Sequence, residues 1–272
     1  MDSLLDDTLF TEFRNLIYDQ SGIHFTDSNR PILESRLRDR LRLAKLDQAR
    51  DYLTLLHQSP QELRDFLDSV TTNLTRFYRN QGQFDALADV VVSDLVKYKR
   101  LSGKNTIKLW SAGCSTGEEP YTMAMVMEKS LPKDFTYSIT ASDLSLKSLM
   151  HASQGFYPTM KIEGIPPEDL ERFFIKMEDG YQVKEELKRK IAFDYHNLKY
   201  DSGLRDVDIV FCRNVLIYFD APAQKNVIDR FWNSMSNHSY LFIGHSESLF
   251  GLDTRFKFMK TDSAVFYTKI FD

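Results

Sequence analysis

The stretch IKLWSAGCSTGEEPYTMAM, Ile107 to Met125, passes from a strand through a turn of small residues into a helix. Ile107, Leu109 and Trp110 supply the apolar positions of the strand. Residues 111–117 carry little side-chain bulk, and Pro120 falls in the first helical turn, where its missing N–H is no loss. Such a turn lets backbone N–H groups approach a polar ligand at a helix N-terminus. Gly113 and Gly117 are spaced G-x-x-x-G, not the G-x-G-x-x-G of dinucleotide-binding turns. Glu118 and Glu119 follow at once and would repel a pyrophosphate. A ligand bearing a positive charge and hydroxyls suits this turn better, which points away from a nicotinamide dinucleotide and toward S-adenosylmethionine.

Outward from this stretch, strand-like runs at 107–110, 137–141, 191–194, 207–212 and 240–244 alternate with helical runs at 84–99, 118–131, 145–153 and 222–235. That alternation predicts a mostly parallel sheet with helices on both faces. Two apolar runs in Phe256–Phe271, split by Thr261, Asp262 and Ser263, predict an antiparallel hairpin at its edge. Residues 155–190 break the pattern. Gly164, Pro166, Pro167 and the turn Glu178-Asp179-Gly180 predict a small inserted subdomain with a hairpin. The first seventy residues carry only helical periodicity, as in Leu9, Phe10, Phe13, Leu16 and Ile17. Ser59, Pro60 and Glu62 read as a capping box opening a helix. The expected organisation is an all-helical domain over 1–70 and an α/β domain over 71–272, with the insertion inside the second.

The totals narrow the function classes. A net charge of −4 argues against nucleic acid as the main partner. No apolar run approaches the roughly 20 residues of a membrane span, and the acidic start does not read as a signal peptide. Cys114 and Cys212 are too few for a metal site and are expected to be small buried residues. The expectation is a cytoplasmic protein, monomeric, without a metal and without insertion into a membrane.

Open α/β sheets bind ligands beyond the carboxyl ends of their strands. The first strand is followed by Gly113, Gly117 and Glu119, and the second ends at Asp143, whose carboxylate suits a ribose diol. The third ends at Asn197-Leu198, an amide and an apolar side chain for a purine, and the fourth runs into Arg213-Asn214 and Tyr218.

Five segments occur in order: TTNLTRFYR (71–79), SAGCSTGEEPYTMA (111–124), ASDLS (141–145), FCRNVLIYF (211–219) and GHSESL (244–249). Together they resemble the bacterial chemoreceptor glutamate methyltransferases of the CheR type, over nearly the whole chain. The resemblance implies a Rossmann-like methyltransferase sheet and a donor site for S-adenosylmethionine, with S-adenosylhomocysteine as product. It implies that Asn73, Thr75 and Arg79 contact the donor from the segment entering the large domain. Glu119 would face the methionine portion, Asp143 the ribose, and Asn197, Leu198, Arg213 and Asn214 would complete the site. Arg79 and Tyr218 are placed nearest the transferred methyl group, and His245 is expected to be structural.

The segment NRPILESRLRDRLRLAK (29–45) carries Arg30, Arg36, Arg38, Arg40, Arg42 and Lys45 against Glu34 and Asp39. On a helix, Leu33, Leu37, Leu41 and Ala44 share one face. The cations flank it, Arg36 and Arg40 on one side and Arg38, Arg42 and Lys45 on the other. The family resemblance makes this helix the expected contact for the cytoplasmic helical hairpin of a chemoreceptor; no aromatic platform supports nucleic acid instead. The turn at 178–180 is brief, so docking is expected not to depend on a receptor C-terminal tail. Two other readings stay open: an adenosylmethionine-binding interaction module without catalysis, and a carboxyl- or N-methyltransferase acting on another protein or a small molecule.

Overall fold

A computed structural model describes residues 4–71 and 74–270. The chain forms two units, Met1–Thr72 with Tyr218–Ala223, and Asn73–Ile217 with Gln224–Asp272. The division is therefore not one cut in the sequence, because a six-residue return segment joins the first unit.

The first unit holds α1 (Asp7–Ser21), α2 (Arg30–Ala44), α3 (Ala49–Gln58) and α4 (Pro60–Val70). Asp6 caps α1 by accepting from the Leu9 N–H at 2.7 Å, and Gly22 ends it in the left-handed conformation. A cap of this kind contributes about 1 kcal/mol. Phe10, Phe13, Ile17, Leu33, Leu37, Tyr52 and Phe66 make the core, with the Phe66 ring 5.8 Å from both Phe13 and Tyr52. Ser59 caps α4 through the Glu62 N–H at 3.2 Å. The other half of the expected capping box does not form. Glu62 Oε1 instead accepts from Arg40 Nη2 at 2.7 Å and the Tyr52 hydroxyl at 2.5 Å, charge-assisted bonds stronger than a neutral cap. In the return segment, Asp220 accepts from the Tyr18 hydroxyl at 3.1 Å.

The second unit is built on β1 (Thr106–Ala112), β2 (Thr136–Asp143), β6 (Ile191–Tyr195), β7 (Val207–Cys212), β8 (Met235–Ile243), β9 (Lys257–Lys260) and β10 (Val265–Ile270), in the order β6-β2-β1-β7-β8-β10-β9. The first five strands are parallel, and β10 and β9 close the edge antiparallel. Every residue of β7 is buried, as expected for a central strand covered on both faces. From β1 the chain moves outward to β2 and β6, then returns to β7 on the other side of β1. The order reverses between β1 and β7, which is where a ligand crevice opens. Helix α7 (Glu118–Ser130) covers one face with Tyr121, Met123, Met125 and Met127, all fully buried. Phe231 of α11 (Ala221–Ser234) meets Trp110 edge-on at 5.2 Å.

Periodicity predicts one helix over 84–99. The structure has α5 (Gln81–Ala86), a π-turn over Leu87–Val91, and α6 (Val92–Leu101). Between β2 and β6 stand α8 (Leu146–Gln154) and the insertion. The insertion holds β3 (Phe156–Pro158), α9 (Pro167–Phe173), β4 (Phe174–Lys176), β5 (Gly180–Val183) and α10 (Glu185–Lys188). The expected hairpin is β4–β5, and β3 adds a third strand, giving the order β3-β5-β4.

Candidate functional site

The loops beyond the carboxyl ends of the parallel strands meet at the β1/β7 crevice. Gly113 has φ +87°, and a Cβ there would lie 2.5 Å from a Val215 methyl, so glycine lets the loops after β1 and β7 approach. Gly117 has φ +95°, and a Cβ there would meet Ala152 and the Tyr157 hydroxyl at 2.8 Å. The Gly113 and Cys114 N–H groups both donate to the Ser142 carbonyl, at 2.8 and 2.9 Å, tying the first turn to the end of β2.

Glu119 stands at the start of α7 as half of a buried ion pair. Its Oε2 accepts from Arg213 Nη1 at 3.1 Å and its Oε1 from Ser111 Oγ at 2.7 Å. Burial pushes the Glu119 carboxyl up, and the Arg213 guanidinium beside it opposes that shift. Arg213 Nη2 continues the chain of contacts to the Arg79 carbonyl. Arg79 itself is half-buried and donates from Nη1 to the Leu74 carbonyl at 2.8 Å. The guanidinium of Arg213 also lies 5.3 Å from the Phe84 ring centre, a cation–π contact.

Asp143 ends β2 and accepts from the Ser115 N–H at Oδ2 and the Ser145 N–H at Oδ1, both at 2.8 Å. Its carbonyl accepts from the His196 N–H at 3.1 Å, which brings the end of β6 alongside. Burial lowers the His196 imidazole's proton affinity, so the ring is neutral at pH 7 and is no acid in waiting. Next to it, Asn197 is fixed by accepting from the Lys199 N–H at 2.9 Å, and Leu198 is buried.

Glu247, just after β8, is a site residue that the strand-end residues named from the sequence do not include. Its carboxylate accepts from the Asn214 N–H at 2.9 Å, the Ile217 N–H at 3.2 Å and the Gly244 N–H at 2.5 Å. It therefore clamps the loop after β7 to the end of β8. Its place after β8 marks it as a strand-end residue, but the clamp rests on a contact 33 residues away. His245 was expected to bond at this strand end; it is exposed, and Glu247 does that work.

The loops hold unusual backbone conformations. Tyr78 (φ +51°), Asn80 (+60°), Ser115 (+49°) and Asn214 (+59°) are left-handed although none is glycine. Such residues persist where the surroundings over-determine them, and they gather at ligand sites.

The structure thus brings Arg79, Gly113, Glu119, Asp143, Asn197, Leu198, Arg213 and Asn214 to the strand-end loops. Thr75 is half-buried in the segment entering the second unit, and Asn73 lies outside the described residues. Tyr218 clusters with the helical unit, where its carbonyl accepts from the His24 N–H at 2.8 Å. In that unit Arg36, Arg38, Arg42 and Lys45 are exposed, Arg38 and Arg42 beside Glu34 and Asp39. Arg40 departs from the expected docking set. It is 15% exposed and faces Glu62 and Asp65, so its charge is used inside the unit.

The donor set fits S-adenosylmethionine. Arg213 Nε and Asn214 Oδ1 are buried without a hydrogen-bond partner, leaving a donor and an acceptor to a ligand at a site where such groups are normally satisfied. The two carboxylates, Glu119 and Asp143, suit a cationic nucleoside with a diol better than a phosphate.

The chain is similar to known proteins over nearly its whole length. Residues 73–265 match the family described as "CheR methyltransferase, SAM binding domain", and residues 8–71 match "CheR methyltransferase, all-alpha domain". The chain is 31% identical to chemotaxis protein methyltransferase 2 of Vibrio cholerae, over 98% of this chain and 94% of that one. It is 35% identical to the chemotaxis protein methyltransferase of Escherichia coli, over 93% and 88%. A Pseudomonas aeruginosa relative, chemotaxis protein methyltransferase 2, is also 35% identical, over 88% and 86%.

Proposed function

This chain belongs to the CheR methyltransferase family, and from that premise we propose that it forms γ-methyl esters on glutamates of a chemoreceptor's cytoplasmic helices. It is an S-adenosylmethionine-dependent methyltransferase of chemotaxis. The observation that carries the assignment is the crevice in which Arg213 joins Glu119 to the Arg79 carbonyl, while Asp143 holds the turn after β1 through the Ser115 N–H. S-adenosylmethionine, when bound, supplies an electrophilic methyl group. Glu119 and Arg213 would hold its methionine portion, Asp143 its ribose, and Asn197 and Leu198 its base.

The acceptor chemistry asks little of the protein. A glutamate with a reference pKa of about 4.3 is already ionised at neutral pH, so no general base is required. What remains is orientation and exclusion of water around the carboxylate. Arg79 both contacts the donor and steers that carboxylate, and a looser hold suits catalysis better than a tight pair, which would stabilise the ground state. In this proposal Tyr218 lies beside the reacting groups, a role carried by the sequence resemblance. A substrate on the receptor's cytoplasmic helices places the reaction in the cytoplasm in this reading. Among the described residues no helix is long and apolar enough to cross a membrane.

The receptor is recognised by the exposed cations of α2. Arg36, Arg38, Arg42 and Lys45 offer positive charge around Ile32 and Leu43, which are 52% and 66% exposed. Arg38→Glu with Arg42→Glu should cut receptor methylation about 10-fold at sub-saturating receptor, chiefly through KM. S-adenosylhomocysteine affinity should be unchanged. The Arg42–Asp39 pair is solvent-exposed and contributes at most about 1 kcal/mol; Arg38 faces the buried Glu34, so the melting temperature is followed alongside to separate lost docking from a weakened helix. Receptor methylation kinetics beside calorimetry check this; undiminished methylation would remove α2 from the docking surface.

A further inference from the structure

We propose that Asp169, in the inserted subdomain, is a positioning residue for methyl transfer, acting through Tyr78 on Arg79. The inference rests on Arg79 serving the donor site.

Asp169 lies on α9 and is 1% exposed. An isolated buried carboxylate is costly, and this one is held by two donors on one oxygen. The Tyr78 hydroxyl donates to Oδ2, and Lys129 Nζ, from α7, reaches the same oxygen at 2.7 Å. Oδ1 is buried without a partner, so the acid is not serving a wider network. Burial and then the bond to Asp169 push the Tyr78 phenol up, which keeps it the donor across the neutral range.

Tyr78 is an unexpected residue for its backbone. A left-handed φ of +51° is strained for an aromatic L-residue and persists only where its surroundings impose it. Those surroundings are the insertion and α7. The Phe77 ring packs edge-on against Tyr157 at 4.8 Å and Phe174 at 5.7 Å, both in the insertion. The Tyr78 N–H donates to Thr122 Oγ1 of α7 at 3.3 Å. Asn80, also left-handed, follows Arg79. Residues 77 and 78 are thus embedded, and the backbone turns on both sides of Arg79, whose carbonyl receives Arg213. The insertion fixes where Arg79 leaves the core, and the Tyr78–Asp169 bond is the polar tie that sets the turn.

The test uses the full chain with Tyr78→Phe, Asp169→Asn, both together, and Arg79→Ala. Methyl-transfer rates are measured against donor concentration, with S-adenosylhomocysteine affinity and melting temperature alongside. Tyr78→Phe should lower kcat/KM for the donor about 10-fold while shifting the melting temperature by only a few degrees. Asp169→Asn should lower kcat/KM at least as much, and the double variant should be no worse than Asp169→Asn alone, which already removes the Tyr78 contact together with the Lys129 ion pair. A folded Tyr78→Phe enzyme within twofold of the parent in kcat and donor KM overturns the proposal, even where Asp169→Asn fails to fold. If Arg79→Ala is damaging and Tyr78→Phe silent, only the role of Asp169 falls. A silent Arg79→Ala overturns the role of Arg79 in the donor site and this inference with it.

Discussion

Asp143→Ala should weaken S-adenosylhomocysteine binding about 100-fold, read by calorimetric titration, with the protein still folded. Two losses combine. The carboxylate is the group placed to take the ribose hydroxyls, and hydrogen bonds to charged groups contribute about 1.5–3 kcal/mol, roughly 10- to 150-fold in affinity. The same carboxylate accepts from the Ser115 and Ser145 N–H groups, so its removal also releases the turn after β1. Asp143→Asn keeps an acceptor and should fall between the two. Affinity within threefold of the parent in the alanine variant would place the nucleoside elsewhere.

Arg213→Met should be the most damaging change to stability at the site. Arg213 and Glu119 have side chains 2% and 12% exposed, and removing one partner of such a pair strands the other. That loss costs about 3–5 kcal/mol, or about 10 °C in melting temperature for a unit of this size. Adding Glu119→Leu should recover much of the stability, since a buried pair replaced by apolar groups is often neutral. It should not recover donor binding. The cycle separates the two roles of the pair: a double variant whose melting temperature falls by the sum of the singles would show that the charges are not coupled.

How far the sequence reveals this molecule depends on the range of each interaction. The turn at 111–120 was legible because its determinants are local: small residues, two glycines, a proline and two acids. The alternation of strands and helices pointed to the strand ends, and with them to Glu119, Asp143, Asn197 and Arg213; the strand order, and so the position of the crevice between β1 and β7, came from the structure. What was not legible involves a choice among distant partners. Glu62 has the spacing of a capping box, yet Arg40 and Tyr52 approach from other helices and take its carboxylate. The same contact withdraws Arg40 from the surface, though its spacing matches that of its exposed neighbours. Glu247 lies 33 residues from Asn214, and nothing local announces that it will clamp that loop. The left-handed backbone at Tyr78 has no local cause either, since tyrosine has no preference for it; the insertion imposes it from 91 residues away.

The account turns on a methyl group passing from the sheet rim to a receptor carboxylate, and transfer of a tritiated methyl to receptor-bearing membranes tests this most directly. The expected result is label on the chemoreceptor that mild alkali releases as methanol, cut steeply by Asp143→Ala at sub-saturating donor. Label that resists alkali, or none on the receptor from an enzyme that binds S-adenosylhomocysteine, would contradict it.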